Sequence, residues 1–154
     1  IRPGQIRSAR DIGMALRTTG KNSPHPVDVF GEVVRINLIG SFNVLRLCAT
    51  AMVDNPPDAH GERGVILNAL AAAAFDGQAG QAAYAASKGG LAALTLPVSR
   101  DLAGEGIRVL GIVPPHAEGG SSRASRGEEF TRMAIHALTT PGLTGENLHE
   151  LPSS

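Results

Sequence analysis

Tyr84 and Lys88 are the two side chains of this sequence whose types and spacing most clearly suggest chemistry. Tyr84 is the single tyrosine of the 154-residue chain, and Lys88 follows it four residues later. Side chains four residues apart lie on one face of a helix. A neighbouring ammonium lowers the pKa of a phenol, which suits a tyrosine to general acid or base chemistry. Spacing alone leaves open the alternative that Tyr84 and Lys88 are a solvated pair on a helix surface, without a catalytic role.

The elements that must position this pair follow from the hydrophobic pattern. Two short apolar runs, residues 64–70 and 107–113, predict strands that are buried on both faces. Helices are predicted over 27–53, 81–103 (interrupted by Pro97) and 128–138. Residues 1–26 are predicted to be irregular, with a short helical piece around 9–16, and 139–154 to form a tail. The alternation of helix and strand predicts an α/β fold with a parallel sheet.

Composition excludes several classes of function. The 14 basic and 14 acidic residues balance, so the chain lacks the positive field of a nucleic-acid binder. No uninterrupted apolar run approaches the roughly 20 residues of a membrane span, which predicts no membrane association. The single cysteine, Cys48, cannot form an internal disulfide and fits a cytoplasmic location. Five scattered histidines lack metal-ligand spacing, so no metal site is predicted.

Several motifs, in order along the chain, resemble the short-chain dehydrogenase/reductase family. Residues 81–90 resemble its active-site helix, 35–43 the helix with its catalytic asparagine, and 100–109 the next helix end and strand. Residues 74–84 are most similar to the type 2 3-hydroxyacyl-CoA dehydrogenase branch. The resemblance covers about residues 27–114 and fades in 1–26 and 115–154. It implies one incomplete dinucleotide-binding domain over 1–154.

The resemblance assigns roles to individual side chains. Tyr84 would exchange a proton with the substrate oxygen, Lys88 would lower the tyrosine pKa and bind the nicotinamide ribose of NAD, and Asn37 would hold a water of a proton relay. The substrate implied is a 3-hydroxyacyl-CoA or a similar secondary alcohol. Further contacts with the cofactor are implied for Tyr84, Asn68 and Pro114, and a contact with the substrate for Gln78. The alternatives are a capping or solvated polar group of the helix for Asn37, a strand-end hydrogen bond for Asn68 and a solvated side chain for Gln78.

Three departures from the family pattern bear on activity. Ala71 stands where the family has its substrate-orienting serine, and no Ser or Thr occurs from residue 51 to residue 86. Losing such a donor costs roughly 100- to 1,000-fold in rate. No glycine-rich turn followed by a helix occurs before Asn37, so the first βαβ units of a Rossmann-like sheet are expected to be missing and NAD binding is in question. Pro114 and Pro115 replace the family's Pro-Gly.

Two functions therefore stay open. One is an NAD-dependent oxidoreductase, impaired by these departures. The other is an inactive relative that serves as an oligomerisation or interaction module, or a gene remnant. Helices 27–54 and 81–104 resemble those of the family's subunit interface, which implies a homo-oligomer. An incomplete sheet also predicts exposed edges and self-association.

Overall fold

The computed structural model describes residues 11–21, 23–114 and 123–149, with side chains from residue 127 in the last range. Its centre is a parallel sheet of three strands in the order β1 (Gly64–Ala69), β2 (Ile107–Ile112) and β3 (Asn147–Leu148). Gly64 lies opposite Ile107, and the register continues to Ala69 opposite Ile112. The predicted α/β class is confirmed, and both long strands lie where the apolar runs indicated.

Helices connect and cover the strands. They are α1 (Val27–Val34), α2 (Ser41–Val53), α3 (Ala82–Leu102) and α4 (Arg123–Thr139). A π-helical segment, Arg35–Gly40, joins α1 to α2 without a break. The three predicted helices are thus confirmed, and α3 runs through Pro97. Because the apolar spacing continues across the segment, the wider π turn could not be recognised from the pattern.

The sheet is buried on both faces. On one face, Ile107 and Val109 of β2 pack with Leu45 and Met52 of α2. On the other face, Ile112 packs with side chains of α4 and the edges of the sheet, namely Met133, Ala134, Leu67 and Leu148. All six residues of β2 are buried, as expected for the central strand of a parallel sheet.

Arg108 is a charged side chain inside this core, only 5% exposed, on the face of β2 that meets α4. Its Nε lies 2.8 Å from Oε2 of Glu62. Because the last carbonyls of a helix have no partner within the helix, a guanidinium at that point satisfies them. Arg108 donates to the carbonyl oxygens of Ala137 (2.7 Å), Leu138 (3.3 Å) and Leu143 (3.1 Å).

The continuous helix Val27–Val53 is long and apolar enough to cross a membrane, by length and composition, and it is the one such helix in the described part of the chain. The sequence prediction of no such segment counted uninterrupted apolar runs. It therefore missed a helix that contains an 18-residue window with a mean hydropathy of 1.5, although polar residues such as Asn37 are interspersed in it. In this fold, Val33, Leu45 and Met52 of the helix are buried.

Two predictions for the ends of the chain were wrong. The described part of the expected helical piece, residues 11–16, has no regular secondary structure. The expected tail contains β3, which adds to β2 through two residue pairs. Thr144 helps to dock it, since its Oγ1 accepts from the amide of Val109 at 2.9 Å. A two-residue strand carries too little pattern for recognition in a sequence.

Candidate active site

Tyr84 and Lys88 lie on α3 with the geometry that their spacing predicted. The Lys88 Nζ atom is 5.9 Å from the centroid of the Tyr84 ring. Lys88 is only 1% exposed, whereas Tyr84 is half-buried. Nζ donates to the carbonyl oxygen of Ala69 at 2.7 Å, so the ammonium is held at the carboxyl end of β1. Parallel α/β sheets place ligands at this edge.

Asn37 lies fully buried in the π-helical segment beside the pair. Its Nδ2 donates to the carbonyl oxygen of Ile12 at 2.8 Å and to Oγ of Ser87 at 3.2 Å. Its Oδ1 accepts from the Ile12 amide at 2.9 Å. The side chain thus ties the irregular segment 11–16 to α3. Its role in holding a water stays a prediction, and a π turn is a frequent local structure at functional sites.

Ser87 is the nearest hydroxyl to Tyr84 along the chain, and it is not available to replace the hydroxyl that Ala71 lacks. The side chain is fully buried. Its Oγ donates to the Tyr84 carbonyl oxygen at 2.8 Å and accepts from Asn37. Ala71 itself is half-buried and immediately precedes the short turn Ala72–Ala74 that follows β1.

Asp11 is a member of the site that sequence reasoning missed. Its Oδ2 lies 2.6 Å from Nζ of Lys88, and its side chain is 39% exposed. Residues 1–26 show no periodicity or family motif, so nothing placed Asp11 near α3. The one available signal was charge, because Asp11 is the single acidic residue among the first 27.

The electrostatics of Tyr84 differ from the expectation based on Lys88 alone. Burial raises the pKa of the Tyr84 phenol, and the charge of the Asp11 carboxylate raises that pKa further. An isolated ammonium would lower it. In this structure the ammonium of Lys88 is paired with a carboxylate, so its effect on the phenol is offset. The protonated phenol is therefore favoured.

A small open cavity of about 240 Å³ lies beside Tyr84. Segment 11–16 forms one wall, held there by the Leu16 amide, which donates to the Gly80 carbonyl oxygen at 2.8 Å. The backbone is so close that a Cβ on Gly13 would lie 3.7 Å from Cδ2 of Tyr84. The lining residues are Gly13, Met14, Ala15, Gln81 and Tyr84. The volume is slightly below that of typical ligand pockets, roughly 300–1,000 Å³.

The other predicted site residues are placed as follows. Gln78 is exposed and its Oε1 accepts from Nε2 of Gln81 at 3.0 Å. Asn68 is buried and donates to Oγ1 of Thr95 at 3.2 Å, which matches the strand-end hydrogen bond considered as its alternative role. Pro114 is half-buried just after β2. Pro115 lies outside the described residues. The structure thus joins Tyr84, Lys88 and Asn37 through segment 11–16, and the ligand contacts of all the named site residues stay predictions.

Among the described residues, no group of three or more His, Cys, Asp or Glu side chains could hold a metal ion.

Comparison with known proteins places this arrangement in context. The family described as short chain dehydrogenase matches residues 13–129. The 3-hydroxyacyl-CoA dehydrogenase type-2 of Rattus norvegicus is 53% identical over 105 residues, which are 67% of this chain and 40% of the relative. The protein of that name from Homo sapiens is 54% identical over 94 residues, 61% of this chain and 36% of the relative. The chain thus spans about two fifths of the length of these relatives.

Solved structures agree in fold. The crystal structure of 3-hydroxyacyl-CoA dehydrogenase type-2 from Mycobacterium avium is similar with a TM-score of 0.82 and 30% identity, over 92% of this chain and 62% of that one. A 4-hydroxyisoleucine dehydrogenase complexed with NADH and succinate is similar with a TM-score of 0.70 and 21% identity, over 92% of this chain and 64% of that one. The family match, which covers β1, β2 and the Tyr84–Lys88 helix, shows that the chain belongs to the short chain dehydrogenases.

Proposed function

We propose that this chain carries the proton-transfer part of an NAD-dependent oxidoreductase site for a 3-hydroxyacyl-CoA or a similar secondary alcohol. The observation that carries the proposal is the Tyr84–Lys88 pair, anchored by the carbonyl of Ala69 at the ligand-binding edge of the sheet. The substrate class is taken from the relatives of similar sequence, which are 3-hydroxyacyl-CoA dehydrogenases by name.

Tyr84 is the acid and base of the proposed reaction. In the reducing direction, the phenol O–H bond breaks and its proton bonds to the carbonyl oxygen of the substrate, leaving a phenolate that regains a proton from solvent. In the oxidising direction, the phenolate removes the hydroxyl proton of the alcohol. When bound, NAD supplies or accepts the hydride at the carbon that bears this oxygen. Ala71 donates no hydrogen bond to that oxygen from its side chain.

Lys88 is the residue that would hold the ribose next to the nicotinamide. An ammonium has three donors, and two of them are used by Ala69 and Asp11. One donor is left for a ribose hydroxyl, so the described residues fit that end of the cofactor. They include no glycine-rich turn at a helix N-terminus of the kind that binds a pyrophosphate.

The test is a titration of the purified chain with NADH, followed by nicotinamide fluorescence, and an assay with a 3-ketoacyl-CoA. We expect saturable binding and slow oxidation of NADH. Lys88→Gln should weaken binding, and Tyr84→Phe should lower turnover by about 100-fold or more with little change in binding. Lys21→Gln is the matched control, since Lys21 is the other lysine of the chain and is exposed. Absence of binding at millimolar NADH would refute the proposal.

An interaction module is the second candidate, favoured by exposed apolar side chains on the helix Val27–Val53. Ile39, Phe42 and Leu47 are 58%, 44% and 54% exposed. Such side chains on one long helix suit contact with a second copy of the chain. A homo-oligomer by sedimentation equilibrium, without NADH binding, would favour this function over the enzyme.

A further inference from the structure

Asp11 makes a contact with the pair on α3 that the proposed reaction does not require. Its carboxylate oxygen is 2.6 Å from the Lys88 ammonium, which is almost entirely removed from water. Charge-assisted hydrogen bonds of this length are among the stronger ones in proteins. The contact joins residues 77 positions apart, so it depends on the fold and not on the local sequence.

Hydrogen bonds fix the backbone that follows Asp11 at both ends of the stretch that lines the cavity. Asn37 pairs with both backbone groups of Ile12, and the Leu16 amide bonds to Gly80. These bonds are made by a buried side chain and by the main chain just before α3. Asp11 is therefore held beside Lys88 by its neighbours and does not rely on the ion pair alone.

Among the described residues, the charges that face the phenol come from two elements. α3 contributes Tyr84 itself and the ammonium of Lys88. Segment 11–16 contributes the carboxylate of Asp11. β1 contributes the neutral carbonyl of Ala69, and the π-helical segment contributes the neutral amide of Asn37. Asp11 is thus the negative charge that offsets Lys88.

We propose that Asp11 is a positioning residue that holds the Lys88 ammonium by its charge and offsets the effect of that ammonium on the Tyr84 phenol. A protonated phenol can donate to a carbonyl oxygen, whereas alcohol oxidation begins with a phenolate. By opposing the phenolate, Asp11 disfavours the form of the site that begins alcohol oxidation, and so favours the direction of carbonyl reduction. This meaning of the contact rests on the proposed function, but the effect on the phenol does not.

The sequence offers a direct way to measure this effect. Tyr84 is the single tyrosine and the chain has no tryptophan, so the ultraviolet absorption of tyrosinate reports Tyr84 alone. We expect Asp11→Asn to lower the midpoint of this titration by about one pH unit, since a nearby carboxylate opposes the phenolate. Asp28→Asn is the matched control: Asp28 is exposed on α1, and its removal should leave the midpoint unchanged.

A second background separates the carboxylate from the ammonium. In Lys88→Gln, the Asp11 charge is no longer offset, so the midpoint should rise, and adding Asp11→Asn should lower it again. Circular dichroism identifies any variant that has lost its helices, and Asp11→Ser then replaces Asp11→Asn with the same expectation. Equal midpoints with and without Asp11 in both backgrounds would overturn the inference. The titration needs neither NADH nor turnover, so failure of the proposed function would not affect its outcome.

Discussion

At the scale of residues, the polar groups of this site form one connected hydrogen-bond network. Lys88 donates to Ala69 and Asp11, and Asn37 exchanges two hydrogen bonds with Ile12, the residue after Asp11. Asn37 also donates to Ser87, whose hydroxyl returns to α3 at the carbonyl of Tyr84. Every polar group named here has a partner in the protein. Because a buried polar network is destabilising when some of its groups lack hydrogen-bond partners, this network fixes the positions of its members. Its members are Ala69, Lys88, Asp11, Ile12, Asn37, Ser87 and Tyr84.

Restoring a hydroxyl after β1 should raise activity. We expect Ala71→Ser to increase turnover by roughly 100-fold or more over the native chain, because a new donor can reach the substrate oxygen. The measurement is NADH oxidation with a 3-ketoacyl-CoA at saturating concentration. Ala73→Ser is the control, since Ala73 is also half-buried and lies two residues later in the turn. Equal gains from both serines would argue against a specific role for position 71.

Alkaline pH should destabilise the fold through Tyr84. Its pKa is raised in the folded chain by burial and by Asp11, whereas the pKa of a tyrosine in an unfolded chain is about 10. The folded chain therefore holds the phenolic proton more tightly. This contribution to stability is complete below about pH 10 and is lost as pH rises through the folded pKa. We expect the melting temperature of Tyr84→Phe to fall less above pH 10 than that of the native chain, with Lys21→Gln as control. An identical decline would contradict this.

At the scale of elements, the fold depends on turns as well as on helices and strands. The turn before β2 brings Gly106 against the loop that precedes β1. Gly106 has φ of +66°, and a Cβ on it would clash with the carbonyl oxygen of Gly61. Neither the conformation nor the space suits another residue. Gly104, two residues earlier, has open space around its Cα.

Replacing these two glycines should have opposite effects. We expect Gly106→Ala to lower the free energy of unfolding by about 2–4 kcal/mol, from positive φ and a backbone clash. Gly104→Ala should leave it unchanged or raise it by about 0.5 kcal/mol, because alanine restricts the unfolded chain. Urea denaturation of the two variants measures both. A loss for Gly104→Ala as large as that for Gly106→Ala would show that the turn tolerates no side chain at all.

The sequence predicts the elements with strong periodicity and misses those without it. Both long strands and three helices follow from apolar spacing, and the Tyr84–Lys88 face follows from helical geometry. Segment 11–16 has no regular structure, and it reaches the site through hydrogen bonds of Asn37 and Gly80. Such bonds join residues that are distant in sequence. Asp11 could not be predicted for this reason, although the side chains it serves could.

The whole molecule leaves apolar surface on the helix Val27–Val53. One edge of β1 in the parallel sheet also has no partner strand among the described residues. Unpaired edges and exposed apolar side chains both favour contact between copies. Self-association, which the sequence predicted from an incomplete sheet, is thus consistent with two separate features of the fold and stays a prediction.

A charge on the exposed helix surface should reduce this association. We expect Leu47→Lys to shift sedimentation equilibrium at micromolar concentration towards the monomer, because Leu47 is 54% exposed. Thr131→Lys is the matched control: Thr131 is an exposed threonine on α4, away from the helix Val27–Val53, so this substitution should leave association unchanged. A native chain that is monomeric throughout this range would contradict the prediction.

The buried guanidinium of Arg108 also determines how this molecule comes apart. It binds the end of α4, Leu143 beyond it, and Glu62 in the loop before β1. Detaching α4 would leave N–H donors of the buried guanidinium without their carbonyl acceptors, which costs more than losing a surface contact. Hydrogen exchange of the amides in α4 and in β2 should therefore show one common opening free energy. The last helix would not fray separately: it would be released only when the central strand is.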